Sequence, residues 1–260
     1  MPWITRFETN GDTDPTFNAS SSTPDGSVSA LSLRADGDVL VGGGFVSSMA
    51  PRNGIVRLNG DGTTDMSFDP GSGANEGVRT ILEQPDGQVL IGGGFTTCNG
   101  TPINRLARLE PDGGVDPGLV SVRAFPTHSS RTAPVPWEFA LRTDGRILVA
   151  GEFTDFNGIP RGGLTQLLSN GGLDPSFNVG IGFQGQPYAY TLSVLGNDQV
   201  IVGGYFTSYQ SLGISPRMVR LNADASLDAT FNAGTGANAG VTGLALQPDG
   251  KVLLGGDFPG

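Results

Sequence analysis

Val78-Arg79-Thr80-Ile81-Leu82-Glu83-Gln84-Pro85-Asp86-Gly87-Gln88-Val89-Leu90-Ile91-Gly92-Gly93-Gly94-Phe95 reads as a strand, a turn and a second strand. Asp86-Gly87 is the dipeptide that most readily takes positive φ in a tight hairpin. Val89-Leu90-Ile91 is a buried run that enters a Gly-Gly pair. This stretch recurs. A Gly-Gly-x-Phe signature ends at Phe45, Phe95, Phe153, Phe206 and Phe258, at spacings of 50, 58, 53 and 52 residues, with Ala150 replacing the first glycine in the third copy. A second marker, Asp-x-x-Phe, begins at Asp14, Asp65, Asp116, Asp174 and Asp228, with Leu119 in place of Phe in the third. Two markers on one period identify five copies of one unit.

Each unit continues with a third strand, as in Ile55-Val56-Arg57-Leu58 or Met218-Val219-Arg220-Leu221. A polar turn and the Asp-x-x-Phe segment follow, expected as a short outer strand. In the fourth copy Asn197-Asp198 replaces Asp-Gly, which suggests a different turn type there. Three or four strands repeated five times describe an all-β fold, a five-bladed β-propeller. The runner-up is a solenoid, which would want distinct capping repeats. The order of the pieces favours the ring. The first 18 residues carry a third strand and an Asp-x-x-Phe segment, and residues 241–260 carry the two strands that precede them. The expectation is one domain, 1–260, of five repeats of about 52 residues, closed by pairing of the N-terminal strand into the last blade.

Composition agrees. Glycine and proline number 42 and 18, and charged residues make up only 15%. Long helices are close to excluded, since Gly and Pro cost about 1 and 3 kcal/mol each within them. The net charge of −10 comes with a single lysine, Lys251, and scattered arginines. No basic stripe exists to displace phosphate counterions, which argues against nucleic acid and against an anionic membrane surface. One cysteine, Cys98, and one histidine, His128, leave no disulfide framework and no multi-histidine metal site. Cys98 reads as a small packing residue. No run approaches the eighteen or so apolar residues of a membrane helix, and the N-terminal stretch lacks a signal-peptide core. No cofactor is expected.

The units from Arg220-Leu221-Asn222 through Asp228-Ala229-Thr230-Phe231-Asn232, Gly234-Thr235-Gly236-Ala237-Asn238 and Leu244-Ala245-Leu246-Gln247-Pro248-Asp249-Gly250-Lys251-Val252-Leu253 resemble the delta-60 repeat. That family of β-propeller repeats occurs in bacterial and bacteriophage proteins. The resemblance covers essentially the whole chain and is weakest in the third copy. It implies a propeller and no catalytic residues.

Several features invite a site and have a plainer reading. Asn59-Gly60-Asp61-Gly62-Thr63-Thr64-Asp65 is rich in oxygen ligands, but its spacing is not that of a calcium loop, and Asp and Asn bond their own backbone in turns. Gly71-Ser72-Gly73-Ala74-Asn75-Glu76-Gly77 lacks the Lys and helix of a phosphate loop and reads as an inter-blade turn. Arg6, Arg57, Arg108 and Arg220 each precede the unit's Asp by eight residues, with Gln166 in that place before Asp174. A pair at fixed spacing reads as a brace within each blade.

Departures from the repeat point to function, because binding residues ride on a shared scaffold. The third copy carries an insertion with Arg123, His128 and Arg131. Aromatics outside the pattern gather in copies three and four: Trp137, Tyr188, Tyr190, Tyr205 and Tyr209. Together these eight form the candidate binding face; Tyr209, like Phe156, also lies where core packing is expected. Glu152, Asp155 and Asp257 could form an acidic cluster for a polysaccharide-acting enzyme, the weakest of three readings. The second is a multivalent lectin-like propeller. The favoured one is a non-catalytic structural or attachment module. Its expected setting is a phage virion (tail, fibre or capsid surface), with other structural proteins or a host-surface glycan or protein as partner. An extracellular or cell-surface setting is the alternative, with the cytoplasm before assembly.

Overall fold

The computed structural model describes residues 4–19, 25–46, 52–119, 135–213, 217–234 and 236–258. The chain divides into two compact units, Met1–Val122 and Arg123–Gly260. In the first, β1 (Asp25–Leu33), β2 (Val39–Val46) and β3 (Ile55–Leu58) form one antiparallel sheet. A second follows: β4 (Val78–Glu83) and β5 (Val89–Gly93), a small hairpin of β6 (Thr97–Cys98) and β7 (Thr101–Pro102), then β8 (Leu106–Leu109) on the far side of β5.

The second unit continues with β9 (Val135–Leu141), β10 (Ile147–Glu152), β11 (Asp155–Phe156), β12 (Ile159–Pro160) and β13 (Leu164–Leu167). After them come β14 (Phe183–Gln184), β15 (Ala189–Val194), β16 (Val200–Gly204), β17 (Ser208–Tyr209), β18 (Leu212–Gly213) and β19 (Met218–Leu221). The chain's last strands are β20 (Val241–Leu246) and β21 (Val252–Gly256). The main sheets are β9-β10-β13, β15-β16-β19 and β20-β21, with β11-β12 and β14-β17-β18 as small satellites. Strands β9, β15 and β20, each the first of its sheet, pack side by side in that order. The fold is all-β among the described residues, as the repeats predict.

The Gly-Gly pair has a steric cause. The first strand of every main sheet carries one extra residue opposite it: Ser29, Arg79, Trp137, Tyr190 and Thr242. This β-bulge pushes the incoming backbone against the second glycine. A Cβ there would meet a carbonyl oxygen at 2.0 Å for Gly43, 2.1 Å for Gly93, 2.4 Å for Gly151, 1.9 Å for Gly204 and 2.0 Å for Gly256. No side chain fits in that gap.

The brace is present in all five copies. Arg6, Arg57, Arg108 and Arg220 donate from Nε to Asp14, Asp65, Asp116 and Asp228 at 2.6, 2.5, 2.6 and 2.7 Å, and Gln166 reaches Asp174 at 2.6 Å. The same guanidinium lies over the Phe of Asp-x-x-Phe, at 4.9 Å for Phe17, 5.0 Å for Phe68 and 4.9 Å for Phe231. In the sheet β9-β10-β13, where Gln166 has no charge to offer, Arg142 covers Phe177 at 5.3 Å.

Three local expectations are corrected. The Asp-Gly hairpin is a three-residue loop in which the glycine alone has positive φ, a type I turn closed by a left-handed residue. Asn197-Asp198 makes the same turn: Leu195 bonds Gln199 at 2.8 Å and Asp198 bonds Leu195 at 2.9 Å, with Asp198 at φ +60°. The outer strand shrinks to single bridges such as Leu58–Thr64, because the Asp65 carboxylate then accepts the Ser67 N–H at 2.8 Å, a turn that ends the pairing.

The last sheet has two strands among the described residues. Its apolar run is uncovered: Leu253 is 57% exposed, whereas Leu40, Leu90 and Leu148 at the same register are 0% exposed.

Candidate aromatic binding face

The site is assembled on the bulges. A bulge re-aims the side chain of the inserted residue, and in copies three and four that residue is aromatic, Trp137 and Tyr190. Their rings meet edge to face with centroids 5.0 Å apart. Tyr188, two residues before the β15 bulge, meets Tyr190 at 6.1 Å. Tyr205 occupies the variable place of the Gly-Gly-x-Phe signature and meets Tyr190 at 5.5 Å. Tyr190 is therefore the hub of four half-buried rings, in the T-shaped arrangement that suits the ring quadrupole.

The backbone makes room for this. A Cβ on Gly240 would lie 2.0 Å from the Tyr205 ring, so only glycine permits the ring there. The Tyr205 N–H donates to the Tyr188 carbonyl at 2.9 Å, tying two of the rings through the main chain. Arg217 caps the group: its guanidinium lies 5.9 Å from the Tyr205 ring and donates to the Tyr205 carbonyl. Arg217 sits at φ +76°, the left-handed place taken by Gly163 in the preceding copy, so a guanidinium is held there against backbone preference. Glu152 pairs through its backbone with Tyr188.

Below the rings, Glu138 stands beside the Trp137 bulge and accepts the Leu192 N–H at 2.7 Å, joining β9 to β15. Burial pushes its carboxyl above the usual range, against the pull of the Leu192 N–H and the Thr191 hydroxyl. Sequence reasoning missed Glu138 and Arg217. Neither belongs to a motif, and only the spacing of Arg217 before β19 could have flagged its left-handed backbone.

The other expected site residues separate. Tyr209 is fully buried, packs on Phe183 at 5.1 Å and donates its hydroxyl to the Ala225 carbonyl at 2.6 Å. It belongs to the core, as does Phe156. Arg123, His128 and Arg131 lie outside the described residues. Cys98 is buried, and burial pushes its thiol up to about 11. Asp61 spends one oxygen on the Thr63 N–H and hydroxyl, at 2.9 and 2.7 Å, which is turn chemistry. Among the described residues no cluster of three or more His, Cys, Asp or Glu side chains is placed to hold a metal.

A family model described as a domain of unknown function (DUF5122) beta-propeller matches residues 34–68, 84–119, 142–177 and 196–231. No curated protein matches the chain. Among solved structures, PorZ, described as an essential bacterial surface component of the type-IX secretion system of Porphyromonas gingivalis, is similar at 12% identity with a TM-score of 0.53. The match covers 94% of this chain and 34% of that one. The extracellular domain of the putative hybrid two component system BT3049 from B. thetaiotaomicron is similar at 12% identity and a TM-score of 0.50, over 97% of this chain and 27% of that one. The chain thus spans about a third or less of each, and the likeness is one of fold.

Proposed function

The chain belongs to the DUF5122 β-propeller family, and from that premise we propose a non-catalytic attachment module whose partner rests on the Trp137, Tyr188, Tyr190 and Tyr205 rings. The observation that carries this reading is the pair of aromatic bulges. At the same place the other copies carry Ser29, Arg79 and Thr242, so the scaffold does not require a ring there. The ligand class that suits the patch is a surface glycan. Tyrosine and tryptophan offer apolar faces with polar ends, and Arg217 and Glu152 supply charged flanks. One patch per chain replaces the multivalent lectin reading, since only two of the five bulges are aromatic. The expected virion setting remains part of the proposal, and mass spectrometry of purified particles decides it.

A glycan array tests the patch. Wild-type protein should bind one glycan class, competed by the free sugar, and Tyr190→Ala and Trp137→Ala should each weaken it about tenfold, equivalent to about 1.4 kcal/mol. Undiminished binding by both variants would move the site elsewhere. Turnover of a polysaccharide would replace attachment by catalysis.

The finer architecture proposed with it is five blades, the fifth completed by residues 4–18. Support comes from the way that segment sits in the first unit. Arg6 donates to the Gly60 carbonyl at 2.7 Å as Arg57 donates to Pro111 at 3.0 Å, and the Asn18 N–H reaches Asp61 at 2.8 Å as Asp69 reaches Asp112. Residues 4–18 therefore stand against sheet β1-β2-β3 as residues 55–69 stand against sheet β4-β5-β8. In the proposed ring they are the outer half of the blade that precedes that sheet. Among the described residues, strands β20 and β21 pair only with each other.

A further inference from the structure

In the second unit the repeat leaves a buried cation without its acid. Arg161 stands three residues before β13, as Arg52 stands three residues before β3. Both arginines are buried, at 7% and 2% exposure. The frame around them is the same. The Gly162 carbonyl accepts the Phe183 N–H at 2.9 Å, and the Asn53 carbonyl, in the matching place, accepts the Ala74 N–H at 2.8 Å.

Beside sheet β1-β2-β3 the guanidinium has a counter-charge. Arg52 donates to the Asp65 carbonyl at 2.9 Å and pairs with the Asp69 carboxylate at 3.9 Å. Beside sheet β9-β10-β13 the residue four places past the aspartate of Asp-x-x-Phe is Asn178 instead of an acid. Arg161 donates to the Pro160 carbonyl at 2.9 Å and reaches the Asn178 side-chain oxygen at 3.5 Å. That oxygen already accepts the Gly180 N–H at 3.0 Å. The Arg161 Nε is buried with no hydrogen-bond partner, and no carboxylate pairs with the guanidinium among the described residues. Burial pulls its pKa below the usual range.

A second difference lies at the same junction. Ser72, seven places past Asp65, is matched by Ile181, seven places past Asp174. Ile181 is 55% exposed. Its backbone runs against that of Gly162, where a Cβ would meet the Ile181 carbonyl at 2.3 Å. Ile159, two residues before Arg161, is 43% exposed. Relative to its counterpart the junction has lost an acid and gained apolar surface. Neither change helps the chain by itself, since one leaves a buried charge uncompensated and the other puts an apolar side chain in water.

We propose that this junction is a docking site for a segment of a partner protein that presents an aspartate or glutamate next to an apolar side chain. The carboxylate takes the place that Asp69 fills beside Arg52. It accepts from the Arg161 guanidinium and from the Asn178 amide, whose NH2 makes no hydrogen bond among the described residues. The apolar neighbour covers Ile159 or Ile181. Asp69 is the reason to expect a polypeptide, because the group that satisfies the equivalent guanidinium is a side-chain carboxylate. A charge-assisted Arg–carboxylate pair supplies selectivity for the acid, and the apolar contact adds affinity. The site shares no residue with the aromatic face.

The test uses the full chain and two blocked pentapeptides, acetyl-Gly-Leu-Glu-Leu-Gly-amide and its Leu-Gln-Leu counterpart, with isobutyrate as a free acid. Titration followed by NMR should give saturable shifts of the Arg161 Nε–H and the Ile181 methyl groups. The glutamate peptide should bind at least about tenfold more tightly than the glutamine peptide or isobutyrate. Asn178→Asp restores the acid found beside Arg52. This variant should raise the thermal midpoint and weaken peptide binding at least about tenfold, a loss that unfolding cannot explain. Equal binding of the two peptides, absent shifts at Arg161, or undiminished binding by Asn178→Asp would overturn the proposal. Isobutyrate bound as tightly as the peptide would overturn it too, because the site would then hold a free acid. So would concentration-dependent self-association abolished by Asn178→Asp, which would give the junction to a second copy of this chain.

Discussion

Asp228 shows what the repeated aspartate does. One carboxylate oxygen accepts the Thr230 N–H and hydroxyl at 2.9 and 2.7 Å, and the other accepts Arg220 at 2.7 Å. The Thr230 hydroxyl and N–H, and then Arg220, hold its pKa at about 2. Asp14 is lowered by Thr16 and Arg6 in the same pattern. At Asp65 and Asp174 burial works against ionisation, and the hydrogen bonds from Ser67 with Arg57, and from Ser176 with Gln166, outweigh it. A folded pKa below the unfolded value of about 3.9 means that stability is fully present above that value. It is lost as the pH falls through the folded pKa. The thermal midpoint should therefore be flat from pH 7 to about 5 and fall steeply from about 4 to 2. A midpoint that holds at pH 2.5 would show that the braces contribute no net stability. The spacing of Arg and Asp made this arrangement legible in the sequence. Gln166 was legible too, as the neutral donor that replaces one arginine.

At the scale of the element, the turns show how far pattern carries. The loop after each third strand ends in a left-handed residue, which is Gly11, Gly62, Gly113 and Gly171 in four copies and Ala225 at φ +73° in the fifth. For an L-residue that conformation costs roughly 1–2 kcal/mol. Ala225→Gly should raise stability by about 0.5–1 kcal/mol in denaturant unfolding, the loss of one buried methyl offsetting part of the gain. An unchanged or lower midpoint would mean that the methyl's packing outweighs the backbone strain. The hairpins β6-β7, β11-β12 and β17-β18 escaped the sequence reading because strands of two residues carry no periodicity. The bulges escaped it for a related reason. An extra residue opposite Gly-Gly is visible only once the register of two strands is known, and the aromatic face depends on that register.

For the whole molecule the decisive measurement is a cross-link. In the proposed ring, the register of β2 with β3, where Val41 faces Val56, and of β5 with β8, where Ile91 faces Ala107, would place Thr5 opposite Leu254. Thr5→Cys with Leu254→Cys should oxidise to an intramolecular disulfide that raises the thermal midpoint. Cys98, buried and with its thiol pushed up to about 11, stays out of the exchange. Failure to cross-link, or a disulfide between two chains only, would remove ring closure. Completion of the fifth blade would also cover Leu253 and Phe7, which are 57% and 63% exposed in sheet and strand positions that other copies bury. From the residues alone came the repeat, its strands, its brace and the neighbourhood of the aromatics. Each follows from chemistry at short range: alternation of apolar side chains, turn residues, and a cation eight places before its carboxylate. Tertiary structure alone decided that Tyr190 is a hub and Tyr209 is core, although both are tyrosines in the same copy. The reason is steric. A bulge against a glycine turns one ring outward, and a two-residue strand pressed on its neighbouring loop turns the other inward.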